Sequence, residues 1–442
     1  DPELKKVYQA EPRTKQLMDN ALRLEGTVRN ASTHACAVVI SPQPLIEFTP
    51  LQKPSGEEEG VITQFSMKPI EELGLLKMDF LGLRNLTILK RALDMVELNR
   101  GVRINIEDIP VDDAPTFALL ASGETTGVFQ LESGGMRRYL KDLKPTEIND
   151  IIAMVSLYRP GPMPWIPMYI KGKQNPKSVR YIHKSFEPFL KETYGVAVYQ
   201  EQIFKLTRDF TGMSLGEVDI LRKAVGKKDP VLLMEQRQKF IDGAVRTGHP
   251  EKFAKEVFEK VIEPFAAYGF NKSHAACYAI IAYQTAYLKT HYPTEFMAAL
   301  LSTDAENLDR VALEVGECER NGIIVLPPSV NESFAGFTIV GEKKVRFGLK
   351  TIKGIGDAPI RTIIEARQAG GRFQNIEDFA RRVPYTALNK KTLEALAYSG
   401  ALDDMEERTV IVANVEAIGH FARQMQSARN DGQTDIFALT PE

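Results

Sequence analysis

The chain has 442 residues, more than one ordinary hydrophobic core serves, and that length corresponds to about three domains. With 43% hydrophobic and 26% charged residues and a formal net charge of -2, it has a globular composition that excludes a wholly disordered chain, and it contains no low-complexity tract or internal repeat. Three widely spaced cysteines, Cys36, Cys277 and Cys318, form no Cys-x-x-Cys pair, which argues against a disulfide framework or zinc ribbon and for the reducing cytoplasm.

No apolar run reaches ~18 residues, and the opening "DPELKKVYQAEP" lacks a signal-peptide layout and an initiator Met, so the chain is expected to begin within a longer protein. Residues 1 to about 30 have helical spacing, as in "TKQLMDNALRLEG". Then come β-rich runs, "ACAVVISP" and "GVITQFS", with "LLKMDFLGL" as the third strand of the set. From Asn85 to about Pro327 helical patterns dominate, broken by "RPGPMP", "TGHP" and "HYP". A hairpin is predicted in "GFTIVGEKKVRFGL", turning at Gly341 and Glu342, followed by short helices in "DAPIRTIIEARQAGG", "NIEDFARRV" and "NKKTLEALAYSGA". From about Ser427 the tail is polar until Ile436 and Phe437. The fold class is therefore α+β and predominantly helical.

Charge is unevenly placed: Arg137 to Lys184 holds ten Lys/Arg against three Asp/Glu, and Lys343 to Lys391 twelve against four. Such windows suit either a polyanion touching chosen faces or ordinary solvated surface. In "GLLKMDFLGL" one carboxylate, Asp79, lies in a run that looks made for burial, and the period of two puts Lys77 on its side of the strand. The pair is either a structural ion pair or a metal-ligating carboxylate with a cation beside it for an anionic substrate.

In "VSLYRPGPM" a Pro-Gly-Pro turn presents Arg159 rigidly, for a phosphate or for local packing. "DILRKAVGKKD" places Arg222 and Lys223 on a helix that ends near Gly226, with Lys227 and Lys228 complementing its dipole. In "YGFNKSHAACYA" polar residues Asn271, Ser273 and His274 open a helix, with Asn271 or Ser273 as N-cap and room for an anion; His274 and Cys277 alone are a poor metal signal. "LKTIKGIGDAPI" has the glycine-lined turn of a helix-hairpin-helix, in which Gly354 and Gly356 beside Lys353 let backbone amides approach a phosphate. "GQTDIF" presents Gln433, Asp435, Ile436 and Phe437, either as a peptide that docks in a partner or as a tail folded back.

These segments, in this order, resemble the α-subunit family of bacterial DNA polymerase III, the C-family replicative polymerases. The resemblance runs through "EPRTKQLMDNALRLEGTVRNASTHACAVVISP", "LLKMDFLGLRNLTIL", "ETTGVFQLESGGM", "SLYRPGP", "YGVAVYQEQI", "LRKAVGKK", "YGFNKSHAACYA", "AYQTAYLKTHYP", "IKGIG" and "GQTDIF". It implies the end of a thumb at 1–32, the closing part of a nucleotidyltransferase-like palm at 33–84, helical fingers at 85–330, and a clamp-binding domain with the helix-hairpin-helix at 331–442. It makes Asp79 the third catalytic aspartate and a metal ligand, with Lys77 serving the same site. Arg222 and Lys223 become a basic pair near the incoming triphosphate, with Lys at the second position where the family often has Arg. Asn271, Ser273 and His274 become a polar patch facing the nucleotide. Gln433, Asp435, Ile436 and Phe437 become the sliding-clamp motif.

The resemblance further implies two Mg²⁺ ions, primer-template DNA, deoxynucleoside triphosphates, the clamp and other replicase subunits as cofactors and partners. The family's Pro-Asp-x-Asp motif is missing, because "PVDD" at 110–113 has the wrong neighbours and follows Asp79. The expectation is thus a polymerase fragment inactive alone, lacking two catalytic aspartates, the phosphoesterase-like domain and the nucleic-acid-binding barrel. The alternative is a DNA- and clamp-binding module working with a separately encoded catalytic half.

Overall fold

The structure, a computed structural model, describes residues 2–27, 33–54, 60–227, 230–266 and 269–430. It divides into two compact units, Asp1–Leu83 and Arg84–Glu442. Among the described residues no helix is long and apolar enough to cross a membrane.

The first unit opens with α1 (Pro2–Ala10) and α2 (Pro12–Leu24), the second started by a proline whose missing N–H costs nothing there. Tyr8 donates to Asp19 at 2.7 Å and fastens the two together. Then follow β1 (Ala37–Ile40), β2 (Leu51–Gln52), β3 (Ile62–Thr63), α3 (Met67–Glu72) and β4 (Leu76–Asp79). Gly74, at φ +77°, ends α3, and the Leu75 N–H bonds back to Ile70 before the chain enters β4.

The three expected strands do not form one set. β1 pairs antiparallel with β4, Ala37 opposite Asp79 and Ile40 opposite Leu76, whereas β3 pairs antiparallel with β2. The short Leu51–Gln52 segment closes a local hairpin onto Ile62–Thr63 and takes up that edge. Nor is β4 buried: Leu76 is 55% and Met78 43% exposed, because no described element covers the face they share with Val38 and Ile40.

The second unit is mostly helical, and three cores stand out among its described residues. In the first, Arg84–Arg100 buries Ile88, Ala92 and Val96, one face at four-residue spacing, against Pro293–Thr303. In the second, Gln200–Thr211, Leu215–Lys227 and Pro230–Arg246 enclose Phe186, Phe210, Phe240 and Phe258. The helix Lys272–His291 packs on Ile148–Leu157 and Ala114–Ser122 through Ala275, Ala279, Ala282 and Ala286, small side chains that let neighbours approach closely.

The third core, around Leu349, Ile360, Phe379 and Leu393, joins the helices Asp357–Gly370, Ile376–Arg382 and Lys390–Tyr398. Before it lies a sheet of β5 (Ile324–Leu326), β6 (Thr338–Gly341) and β7 (Lys344–Arg346), in the order β5-β7-β6. The expected hairpin is β6–β7, but its turn is one residue later, at Glu342 and Lys343, and Lys343 takes φ +54°. β5, for which no strand is predicted from the sequence, runs parallel to β7. The final helix, Val415–Asn430, continues three residues past Ser427, where a polar tail was expected to begin.

Candidate functional site

In the first unit, Lys77 and Asp79 lie on one side of β4, as the period of two requires, and Lys77 Nζ is 2.7 Å from Asp79 Oδ1. Asp79 is 44% exposed and Lys77 18%, so the carboxylate faces solvent and the lysine stem is tucked against the sheet. The hydrogen bond from Lys77 holds the Asp79 carboxyl below the usual carboxylate range, and His34 adds a smaller pull. His34, Cys36 and Asp79 each place a ligand-type atom within 4.8 Å of the other two. Beside them a cleft of about 480 Å³, lined by His34, Val39, Ile62, Ile70 and Lys77, separates the β1–β4 and β2–β3 pairs.

In the second unit, Arg159 leaves the end of Ile148–Leu157 through a turn in which Gly161 takes φ +108°. Its Nε donates to the Ser156 carbonyl at 2.9 Å, and its guanidinium lies 4.2 Å from the Phe270 ring centroid. Burial lowers its pKa from the ordinary arginine value. From Phe270 the aromatic contacts continue to His274 at 5.4 Å, Tyr278 at 4.3 Å and Phe129 at 5.3 Å. The structure thus brings Arg159 and His274 into one ladder.

Asn271 is the N-cap of Lys272–His291, its side chain accepting from the His274 N–H at 2.8 Å. The anion expected at this helix start is internal: Glu201 accepts from the Lys272 N–H and, at 3.0 Å, from Asn271 Nδ2. Ser273 and His274 remain exposed.

Arg222 and Lys223 project from Leu215–Lys227 and share Asp219, at 3.0 and 2.7 Å. Lys223 first and then Arg222 hold that carboxyl below its usual range. Lys227 is the last described residue of this helix, and Lys228 lies outside the described residues.

At the helix-hairpin-helix turn Gly354 takes φ +100°, a conformation that leaves glycine the natural occupant. A Cβ there would come 3.4 Å from Lys391 Cε. Lys353 and Gly354 are exposed, and Gly356 caps the following helix. Gln433, Asp435, Ile436 and Phe437 lie outside the described residues.

Several contributors were not legible beforehand. Phe270 stands under Arg159 from far along the chain, and nothing near either residue signals it. Glu201 and Asp219 look like ordinary helical acids. His34 and Cys36 carry a signal that could have been used, a His-x-Cys step leading into a strand that pairs with the one bearing Asp79.

Three family descriptions match the chain: "Bacterial DNA polymerase III alpha NTPase domain" at residues 1–82, "Bacterial DNA polymerase III alpha subunit finger domain" at 85–248, and "Helix-hairpin-helix motif" at 322–410. Among curated relatives, the DNA polymerase III subunit alpha of Thermus aquaticus is 45% identical over 100% of this chain and 36% of its own length. That of Bacillus subtilis is 42% identical over 99% of this chain and 39% of its own length. That of Aquifex aeolicus is 45% identical over 93% of this chain and 35% of its own length. The chain therefore spans little more than a third of these relatives, and on the strength of the matches along its length it belongs to the bacterial DNA polymerase III alpha subunit family.

Proposed function

We propose that these residues form part of a replicative DNA polymerase that transfers nucleotidyl groups from deoxynucleoside triphosphates to a primer 3′-hydroxyl. The observation that carries the reading is the position of Asp79, solvent-facing on β4 with Lys77 hydrogen-bonded to one oxygen. A structural ion pair would have no need of that open face. When bound, divalent cations, Mg²⁺ by oxygen-ligand chemistry, lower the pKa of the attacking hydroxyl and neutralise the leaving pyrophosphate. Asp79 fits as one oxygen ligand of such a centre. A two-ion site needs more carboxylates than this, and among the described residues Asp79 is the carboxylate that the cluster holds.

Lys77 keeps the Asp79 carboxylate ionised and oriented, and supplies positive charge beside the reacting phosphate. Arg222 and Lys223 bind the triphosphate, whose larger charge competes with Asp219 for both. Asn271 fixes the helix start that presents Ser273 and His274 to the nucleotide, and the Phe270, His274 and Tyr278 rings offer a stacking surface. Arg159, and Lys353 with the bare backbone at Gly354 and Gly356, hold DNA phosphates. Residues 1–32, 33–84, 85–330 and 331–442 act as thumb end, palm, fingers and clamp-binding domain. Gln433, Asp435, Ile436 and Phe437 dock the sliding clamp, among other replicase subunits in the cytoplasm.

Primer extension tests the reading. In the complete subunit, Asp79→Asn is expected to lower kcat by about 10³-fold, a loss of roughly 4 kcal/mol of charge stabilisation. The 442-residue chain alone with Mg²⁺ is expected to incorporate nothing. Extension by the variant within about tenfold of the parent would remove Asp79 from the chemistry.

A further inference from the structure

We infer that His34, Cys36 and Asp79 form a site for a thiophilic divalent cation, of which Zn²⁺ is the type. The inference rests on its own geometry and does not require the polymerase reading. Ala37 pairs with Asp79 across β1 and β4, and the Phe80 N–H bonds to the Cys36 carbonyl at 2.9 Å, which brings the end of the His34–Cys36 segment alongside the carboxylate. Cys36 Sγ and His34 Nδ1 are 3.5 Å apart. An ion bound at ~2.3 Å by sulfur and ~2.1 Å by nitrogen at a tetrahedral angle would set these atoms about 3.6 Å apart. The two soft ligands are thus already at ligating separation, and all three donor atoms lie within 4.8 Å of one another.

The donor set decides the metal. Mg²⁺ takes oxygen and would use only Asp79, whereas imidazole, thiolate and carboxylate together are a Zn²⁺ set with a fourth position open to water. Two features oppose binding. His34 Nδ1 accepts the Cys36 and Ala37 N–H groups, at 3.3 and 3.1 Å, and the ion exchanges these two long hydrogen bonds for one coordinate bond. Lys77 holds Asp79 Oδ1 and repels a cation, but leaves the second carboxylate oxygen available. Coordination forms the Zn–S bond as the Cys36 thiol proton passes to solvent, so binding strengthens as pH rises. On the reading under Proposed function, which the site itself does not need, a Zn²⁺ ion here competes with the oxygen-ligated centre for Asp79.

Co²⁺ titration of the 442-residue chain, followed by absorbance, provides the test. The expected result is one equivalent bound, with a sulfur-to-cobalt charge-transfer band and tetrahedral d–d bands that Zn²⁺ abolishes and excess Mg²⁺ does not. Cys36→Ser should lose the charge-transfer band with an unchanged circular-dichroism spectrum. His34→Ala should weaken binding at least about tenfold, since losing even an outer-shell partner of a ligand costs that much. Asp79→Asn should weaken binding but keep the charge-transfer band. Cys277→Ser should leave the spectrum unchanged, separating this site from the exposed Cys277 three residues after His274. Retention of the charge-transfer band in Cys36→Ser, its loss in Cys277→Ser, ready displacement by Mg²⁺, or no uptake would each overturn the assignment.

Discussion

Replacing Glu314 with glutamine is expected to stabilise the chain at neutral and alkaline pH. The Glu314 side chain is fully buried on Leu308–Arg320, with Arg310 Nη2 3.4 Å from its Oε1. Burial, and then the neighbouring Asp304, push its carboxyl from 4.5 up to about 9. Asp304 takes the cations instead: Arg84 Nη1 lies 2.6 Å from one oxygen and Arg310 Nε 3.2 Å from the other. Glu314 is therefore protonated at neutral pH and donates its proton to Asp304; ionised, neither of its oxygens has a donor in hydrogen-bonding geometry. Because the folded value lies above the unfolded one, the native state holds an extra proton between about 4.5 and 9, and stability falls as pH rises through that window.

At about 1.4 kcal/mol per pH unit, the loss between pH ~5.5 and pH ~8.5 comes to roughly 4 kcal/mol. Glutamine keeps the shape, donates to Asp304 from its amide and does not titrate. Urea unfolding should find the variant within about 1 kcal/mol of the parent near pH 5.5 and about 2–4 kcal/mol more stable near pH 8.5. A gap that does not widen with pH would refute a protonated Glu314.

Three further substitutions probe the second unit. Lys289, buried on the helix that begins with Asn271, donates to Glu317 at 2.6 Å and to the Glu124 and Thr126 carbonyls at 2.7 and 3.0 Å. Lys289→Met should cost about 3 kcal/mol in urea unfolding, at the low end for a broken buried pair because Arg320 still holds Glu317; a loss below about 1 kcal/mol would sink the argument. Burial alone would raise the Glu317 carboxyl, but Lys289, Arg320 and Thr126 bring it down to about 2, so its stabilising contribution is present above its unfolded value near 4.5 and lost as pH falls through about 2. At the ladder, both Phe270→Leu and Arg159→Lys should weaken DNA binding about 2- to 5-fold, a cation–π contact of roughly 0.5–1 kcal/mol, and unchanged binding by Arg159→Lys would show that charge alone matters there.

What could be read beforehand is what residues within a few positions of one another decide. An N-cap at Asn271 or Ser273, which the structure gives to Asn271, Gly354 at the turn, the shared face of Lys77 and Asp79, and the β6–β7 hairpin all rest on capping, left-handed backbone or strand period, which hold wherever the segment lies. The one-residue error in the hairpin turn has the same origin: glycine is favoured at positive φ, yet here Lys343 takes it and Gly341 stays in β6.

Partners from distant segments were not legible, and they change what a residue can do. Asp79 seemed to lie in a strand made for burial because its apolar neighbours were counted without knowing whether anything covers them. Asp79 is itself 44% exposed, so the carboxylate carries no large desolvation penalty, and hydrogen bonding to Lys77 is enough to hold its pKa down. The strand period placed Lys77 beside Asp79, but only the register of β1 on β4, Ala37 opposite Asp79, brings His34 and Cys36 to the same carboxylate. That register depends on a pairing across some forty residues and shifts every side chain if it slips by one, so the local pattern could propose the ion pair but not the donors across the strand.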